Sequence, residues 1–291
     1  MPGANIETAI LADIHSNYEA FKTCVEEAER KNIHDYIFLG DYLGDLACPK
    51  KTLSLIKKLK NKYHCIFIRG NKEDYWINHR KNKDEVWESG KSGTGMLCYN
   101  YENLTDDDID FFEAMPISKL IKCEGYPDFT VCHGSPFNIG QSMRQDYDYN
   151  DELTAKLPAK LTICGHFHYR ADYTKHGNRV INPGSVGVAL GTGGGRAEFM
   201  ILRGINGSWE PEFFSLPYDV EKAIADMDKE ELYIKAPCWY RVTKHIIREG
   251  TDSFVQVLTK AHTLYLEETG GDVWQDIPEE YWERALKKFG I

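Results

Sequence analysis

One pattern recurs three times in the first seventy residues: a short apolar run, then a small residue and a polar one. The runs are residues 8–12 (TAILA) before Asp13, 36–39 (YIFL) before Gly40 and Asp41, and 65–68 (CIFI) before Arg69, Gly70 and Asn71. Each has strand length and β-branched or aromatic content. Between the runs the apolar spacing changes to three and four. Tyr18, Phe21, Val25 and Ala28 mark one helical face, with Ser16 or Asn17 placed as its cap. Pro49 suits a first helical turn, and Leu53, Ile56 and Leu59 continue a second face. Strand–helix alternation of this kind predicts a parallel sheet with right-handed crossovers. Ligand groups gather at the carboxyl ends of such strands, where Asp13, Asp41 and Asn71 fall.

The later chain reads differently. Residues 72–116, with Trp76, Trp87 and two polar clusters, predict helices and loops; one helix opens at Thr105 with acidic residues in its first turn. Strand signals return at residues 129–132, 161–164, 179–181, 198–202 and 209–215. Short turns at 176–178 and 204–207 link the later ones, as in antiparallel hairpins. Two sheets packed face to face, with helices outside, accommodate both halves. From about Pro217 the apolar positions turn helical, Gly270 and Gly271 with Pro278 interrupt them, and a last helix covers 279–288. The expected division is a domain over residues 1–217 and a helical extension over 218–291.

Bulk properties narrow the function classes. The chain has 291 residues and a formal net charge of -10. A broad nucleic-acid surface is not expected, because phosphate neutralisation needs clustered Lys and Arg. An anionic small substrate remains compatible, since divalent ions reverse the local field of an acidic protein. No stretch approaches the roughly 20 apolar residues of a membrane span, and the first fifteen residues lack the basic start and apolar core of a secretory signal. The eight cysteines are scattered without a CxxC pair. They read as reduced thiols of a cytoplasmic protein.

The polar residues that follow the apolar runs form a ligand set. Asp13 and His15 stand two apart at a strand end, so alternation places both on one side. Asp41 and Asn71 offer oxygens at the same rim. His133 follows residues 129–132, and Cys132 should face the other way. Gly165-His166-Phe167-His168 presents two more imidazoles at i and i+2. Seven N and O ligands exceed one tetrahedral site but suit two ions roughly 3.5–4 Å apart, bridged by one carboxylate. Asp41 is the expected bridge, standing between the first pair and the later histidines. Imidazole-rich donors suit two divalent transition-metal ions: Mn, Fe, Zn, Ni or Co.

The ordered set DIH, GD, GN, HG and GHFH resembles the calcineurin-like metallophosphoesterase superfamily over about residues 6–217. Residues 182–187 (NPGSVG) look like a turn frequent in its small prokaryotic phosphodiesterase branch, although any Pro-Gly turn reads this way. The resemblance implies a four-layer α/β/β/α sandwich. It also implies one ion on Asp13, His15, Asp41 and His168, and a second on Asp41, Asn71, His133 and His166. The implied activity is hydrolysis of a small phosphodiester or phosphomonoester, a nucleotide or dinucleotide among the candidates, by in-line attack of a metal-activated hydroxide. A phosphoprotein phosphatase is the neighbouring alternative. A non-catalytic interaction scaffold is the other, as with members of degraded ligand sets in the retromer complex; the complete set here argues against it.

The pattern departs after Gly70 and Asn71. Many phosphatases of the superfamily carry His there; this chain has Lys72. Two roles are open for Lys72: stabilising phosphoryl oxygens in catalysis, or a solvated loop residue. Its ordinary pKa of about 10.4 makes it a poor general acid. Asn17 has two roles open as well, a phosphate contact or a helix cap. Arg69 reads as a strand residue facing away from the metals, and the glycine-rich residues 191–195 read as a flexible loop.

Overall fold

Strand β1 (Glu7–Leu11) shows how alternation builds the layers. Ala9 and Leu11 enter a core shared with outer helices, whereas Ile10 and the following Ala12 enter a core between two sheets. Strand β2 (Asp35–Phe38) repeats this, with Tyr36 and Phe38 on the helix side and Ile37 on the other. A strand buried on both faces reads as a continuous apolar run, which is why these segments are legible. The computed structural model describes residues 6–82 and 86–291. The first five residues of the segment searched for a signal, and residues 83–85 of a polar cluster, lie outside it.

The first sheet continues with β3 (His64–Phe67), β9 (Arg196–Ile205) and β10 (Ser208–Pro217), in the order β10-β9-β1-β2-β3. The strands β1, β2 and β3 are parallel, and Ile10, Ile37 and Ile66 stand in register across them. β9 runs antiparallel to β1 and forms a hairpin with β10. The second sheet is built from β4 (Ser118–Ile121), β5 (Phe129–Cys132), β6 (Leu161–Ile163), β7 (Arg170–Lys175) and β8 (Asn178–Pro183), in the order β4-β5-β6-β8-β7. Its parallel centre, β5-β6-β8, contributes Phe129, Val131, Leu161, Ile163 and Ile181 to the core between the sheets. The edge strands β4 and β7 carry no sequence signal of their own. β7 (RADYTK) alternates exposed and half-buried residues and has no apolar run.

Outside the first sheet lie α1 (Tyr18–Arg30), α2 (Pro49–Lys62), α3 (Asn71–Lys81), α4 (Gly95–Glu102) and α5 (Asp106–Glu113), packed on Phe21, Ile56, Trp76 and Phe112 among others. Thr105 opens α5 through a capping box: its hydroxyl oxygen accepts from Asp108 N at 3.2 Å, and the Asp108 carboxylate accepts from Thr105 N at 3.0 Å. Outside the second sheet, α6 (Asn150–Ala155) and Met143 cover Cys132, Cys164 and Val180. The result is the expected four-layer α/β/β/α sandwich. Cys132 does point away from the site.

The C-terminal helices are α7 (Val220–Lys229), α8 (Leu232–Lys235), α9 (Pro237–Glu249), α10 (Ser253–Thr269) and α11 (Glu279–Phe289), with a single 3-10 turn at Trp274–Asp276. Met227, Trp239, Ile246 and Trp282 share a core with Leu46, Met96, Tyr99, Val188 and Leu190, so these helices pack onto α4 and onto the loops that follow β2 and β8. Residues 191–195 are not a free loop. Gly191 N donates to Gly250 O at 2.7 Å and Gly195 N to Ile247 O at 2.8 Å. Gly194, at φ 76–82° with its neighbour Gly193, lies so close to α9 that a Cβ would collide with the Arg248 carbonyl. Glycine is required there for close backbone approach, and sequence alone reads the same residues as mere flexibility. Among the described residues no helix is long and apolar enough to cross a membrane, and all eight cysteines are unpaired.

Candidate metal centre

The candidate ligands follow strand ends, with Asn71 opening α3, and at five of them the backbone bends sharply. Asp13 (φ 56°), His15 (φ 50°), Asp41 (φ 51°), His166 (φ 73°) and His168 (φ 58°) all occupy the left-handed region. This corrects the reason for the convergence of Asp13 with His15. β1 ends at Leu11, so strand alternation does not extend to them. Left-handed turns bring the side chains inward instead, fixed by loop-to-loop hydrogen bonds: Asp13 N to Gly40 O at 3.2 Å, His15 N to Asp41 O at 3.0 Å and Ser16 N to Tyr42 O at 3.1 Å. Each such residue costs about 1–3 kcal/mol, and such strain persists only where its surroundings enforce it. Gly70 is required for a related reason, because a Cβ on it would strike the Asp41 carboxylate and backbone nitrogen.

All seven side chains meet. His15 Nε2 lies 3.2 Å from His168 Nε2 and 3.6 Å from Asp41 Oδ2. On the other side, His133 Nε2 lies 3.5 Å from Asp41 Oδ1, 2.9 Å from Asn71 Oδ1 and 3.2 Å from His166 Nδ1. Asp13 Oδ1 is 3.5 Å from His168 Nε2 and 3.9 Å from His133 Nδ1. Asp13 thus stands in two ligand triads, one with His15 and His168 and one with Asp41 and His133. The first sheet supplies Asp13, His15, Asp41 and Asn71; the second supplies His133, His166 and His168.

The protonation pattern tests whether a cation fits. His133 Nδ1 donates to Leu39 O at 2.7 Å, which orients Nε2 into the centre. Nε2 faces the Asn71 carbonyl oxygen, the Asp41 carboxylate and His166 Nδ1, so oxygen and nitrogen donors converge on one buried point, as a cation requires. Burial, with His133 alongside, pushes His166 down to about 4, so its imidazole is neutral and free to coordinate. The donor set fits a metal.

Several supporting residues escape the sequence reading. Glu73, fully buried, accepts from Gly70 N at 2.8 Å, Asp41 N at 2.9 Å and Tyr42 N at 3.0 Å, and so locks the loops that carry Asp41 and Asn71. Burial first, and then Asp41, push its carboxyl upward against those three donors. Asp45 Oδ2 lies 3.1 Å from His15 Nδ1, without the alignment of a hydrogen bond, and Asp45 Oδ1 lies 3.2 Å from Lys72 Nζ. Trp239 of α9 donates its indole N–H to the same Asp45 at 3.1 Å, and Lys72 Nζ sits 5.0 Å from its ring centroid. Lys72 therefore lies on the cleft wall rather than in a solvated loop. Burial opposes its charge, but Asp45 and Asp41 hold its pKa above the ordinary value. Residues 182–187 are more than a turn: the Ser185 hydroxyl donates to Asp13 O at 2.8 Å and Asn182 Nδ2 to Gly165 O at 2.7 Å, tying both ligand loops. Glu73 reaches back from the third helical position to the Gly70 N–H, but without a Ser or Thr at 70 the sequence shows no capping box; Asp45, Trp239 and Ser185 carry no signal that spacing reveals.

Two expectations change. Asn17 is not on the cleft that the ligands line. Its Oδ1 accepts from Ala20 N at 3.2 Å, capping α1, and its Nδ2 donates to Gly187 O at 2.7 Å, so both ends of the amide are occupied. The cap replaces the substrate contact. Arg69 lies beyond β3 rather than within a strand, with its Nε 2.9 Å from Asp74 Oδ1.

Fold and site together define a metallophosphoesterase sandwich, with Asp and His groups at the strand ends placed to bind divalent metal. A profile of the calcineurin-like phosphoesterase superfamily domain matches residues 6–203, and the chain belongs to that superfamily. It is 24% identical over 246 residues to an uncharacterized protein of Methanocaldococcus jannaschii, covering 77% of this chain and 93% of that one. The fold is similar to that of a hypothetical protein from Pyrococcus horikoshii, with a TM-score of 0.68, 20% identity, and coverage of 81% of this chain and 97% of the other. It is also similar to a metallophosphoesterase from Sphaerobacter thermophilus, with a TM-score of 0.61, 20% identity, and coverage of 78% and 95%.

Proposed function

We propose that the chain hydrolyses a small phosphodiester or phosphomonoester with two divalent transition-metal ions held by Asp13, His15, Asp41, Asn71, His133, His166 and His168. The observation that carries this reading is the convergence of these seven side chains, with Asp13, His15 and His168 in one triad and Asp13, Asp41 and His133 in another. Imidazole-rich donors suit Mn, Fe, Zn, Ni or Co. Bound there, such ions polarise a phosphoryl oxygen and lower the pKa of water.

The chain's own residues supply the rest. Asp41 turns Oδ2 toward His15 and Oδ1 toward His133, which suits it to span two sites. The Leu39 carbonyl fixes the His133 tautomer, and Glu73 fixes the backbone of Asp41. Lys72 stays protonated, so its task is to neutralise phosphoryl oxygens, not to protonate the leaving group. That favours esters whose leaving group needs little protonation. Together with residues 182–187, it supports a place in the small phosphodiesterase branch. Residues 218–291 act as an extension that closes the cleft.

The test is metal analysis of the purified protein, followed by hydrolysis of mono- and bis-p-nitrophenyl phosphate with added Mn. Two bound ions, lost together with activity in Asp41→Asn, are expected. Metal uptake unaffected by that substitution refutes the site. Stable uptake with no hydrolysis across a phosphoester panel refutes the enzymatic reading and leaves the scaffold.

A further inference from the structure

His15, Asp41, Asn71, His166 and His168 line a cavity of about 240 Å³ whose lining also includes an apolar stretch, the apolar end. There the wall is formed by Ile246 of α9, Phe254 and Val255 at the start of α10, Leu190 and Val188 after β8, and Tyr147. Val255 is 55% exposed and Tyr147 38%, so the chain leaves large apolar surface uncovered beside the polar centre. Surfaces of this kind, next to a few convergent polar groups, characterise small-molecule sites.

Charge decides what that end accepts. Among the described lining residues the Lys and Arg side chains are Lys72 and Arg144. Lys72 belongs to the polar end. Arg144 is already engaged: its guanidinium donates to Asp146 through Nε at 3.0 Å and Nη2 at 2.7 Å, and Asp252 lies 3.6 Å away. The rings of Tyr169 and Tyr147 flank it, at 5.0 and 5.4 Å from their centroids. One guanidinium facing two carboxylates leaves the apolar end with no spare positive charge. A second phosphate there would meet Asp252 and find no bidentate donor free.

Building on the phosphoesterase reading, we infer that the apolar end is a subsite for an uncharged, apolar or aromatic organic group of an ester with a single phosphoryl group. Size agrees: a dry apolar cavity of about 150 Å³ holds benzene, so a cleft of about 240 Å³ has room for one ring beside one phosphoryl group. The helices of the C-terminal region thereby set the substrate class, against polyphosphates and esters with anionic tails.

Non-hydrolysed phosphonates separate the subsite from leaving-group effects. Binding of methyl-, phenyl- and 2-carboxyethylphosphonate to the full-length Mn-loaded protein is measured by calorimetry and by inhibition of bis-p-nitrophenyl phosphate hydrolysis. Burying a phenyl ring predicts that phenylphosphonate binds about 10- to 100-fold tighter than methylphosphonate, with 2-carboxyethylphosphonate no tighter than methyl. Val255→Arg, at an exposed position that does not threaten folding, should lower the phenyl-to-methyl ratio at least about fivefold and favour the carboxylate tail. Phe254→Ala should lower the ratio as well. Phosphonates that bind with a phenyl-to-methyl ratio near one, or a ratio unmoved by Val255→Arg, overturn the subsite alone. No phosphonate binding to protein that holds its ions overturns the phosphoesterase reading together with the subsite.

Discussion

Left-handed backbone at the ligand positions makes a prediction opposite to the usual ranking of glycine and alanine. In a strand or helix, Gly is less stable than Ala by about 0.5–1 kcal/mol, because it loses more freedom on folding. At His166 and His168, with φ of 73° and 58°, an L-residue instead costs about 1–2 kcal/mol of steric strain that Gly avoids. The difference favours Gly by about 0.5–1 kcal/mol per site, or about 1–2 kcal/mol for the pair. Two double variants isolate this term: His166→Gly with His168→Gly, and His166→Ala with His168→Ala. Both lose the same imidazoles and the same contacts with Asp13 and His133, so only the backbone term separates them. Thermal unfolding in chelator, where ions contribute nothing, should place the glycine pair about 2–4 °C higher. At His64, a strand residue of β3 with 72% side-chain exposure, Gly should instead be the less stable substitution. An alanine pair equal to or more stable than the glycine pair refutes the claim that the centre stores backbone strain.

Other substitutions test the supporting contacts. Trp239→Phe keeps the ring beside Lys72 but removes the N–H to Asp45; losing a hydrogen bond to a charged group, worth about 1.5–3 kcal/mol, should lower kcat/KM by roughly tenfold or more while leaving the far-ultraviolet circular dichroism spectrum unchanged. Thr105→Ala should cost about 1 kcal/mol in urea unfolding through loss of the α5 cap. Asp108 provides a pH test: burial alone would raise its carboxyl, but the Lys57 ammonium at 2.6 Å and the Thr105 hydroxyl hold it below its ordinary value. A folded pKa below the unfolded one contributes stability that is full above about pH 4 and is lost as pH falls through the folded value. Asp108→Asn should therefore flatten the acid limb of the stability profile below pH 4, and an unchanged limb refutes that contribution.

Much of this architecture was legible because buried parallel strands are unambiguous. Residues 8–12, 36–39 and 65–68 are apolar on both faces and lie within one residue of β1, β2 and β3. The edge strand β7 was not legible, since only Ala171 and Tyr173 face the core and its other residues are polar, so it has no apolar run to show. The ligands could be read from their order along the chain, but not the reason they meet, because φ values leave no trace in spacing. Asn17 was ambiguous because the amide that could contact phosphate is also a good cap, and the local amide of Ala20 claims it. Asp45 and Trp239 lie 194 positions apart, so their hydrogen bond is a property of the helical region's docking, beyond any local pattern.

The ligands are divided between the two sheets, four from the first and three from the second, and this has a mechanical consequence. Divalent metal seated on both groups would act as a rivet through the sandwich. The sheets then cannot slide or part without giving up coordination bonds, so breathing of the apolar interface around Ile37 and Ile163 becomes coupled to ion release. The rate at which bound metal exchanges with solution would then measure how often the two halves of the fold come apart.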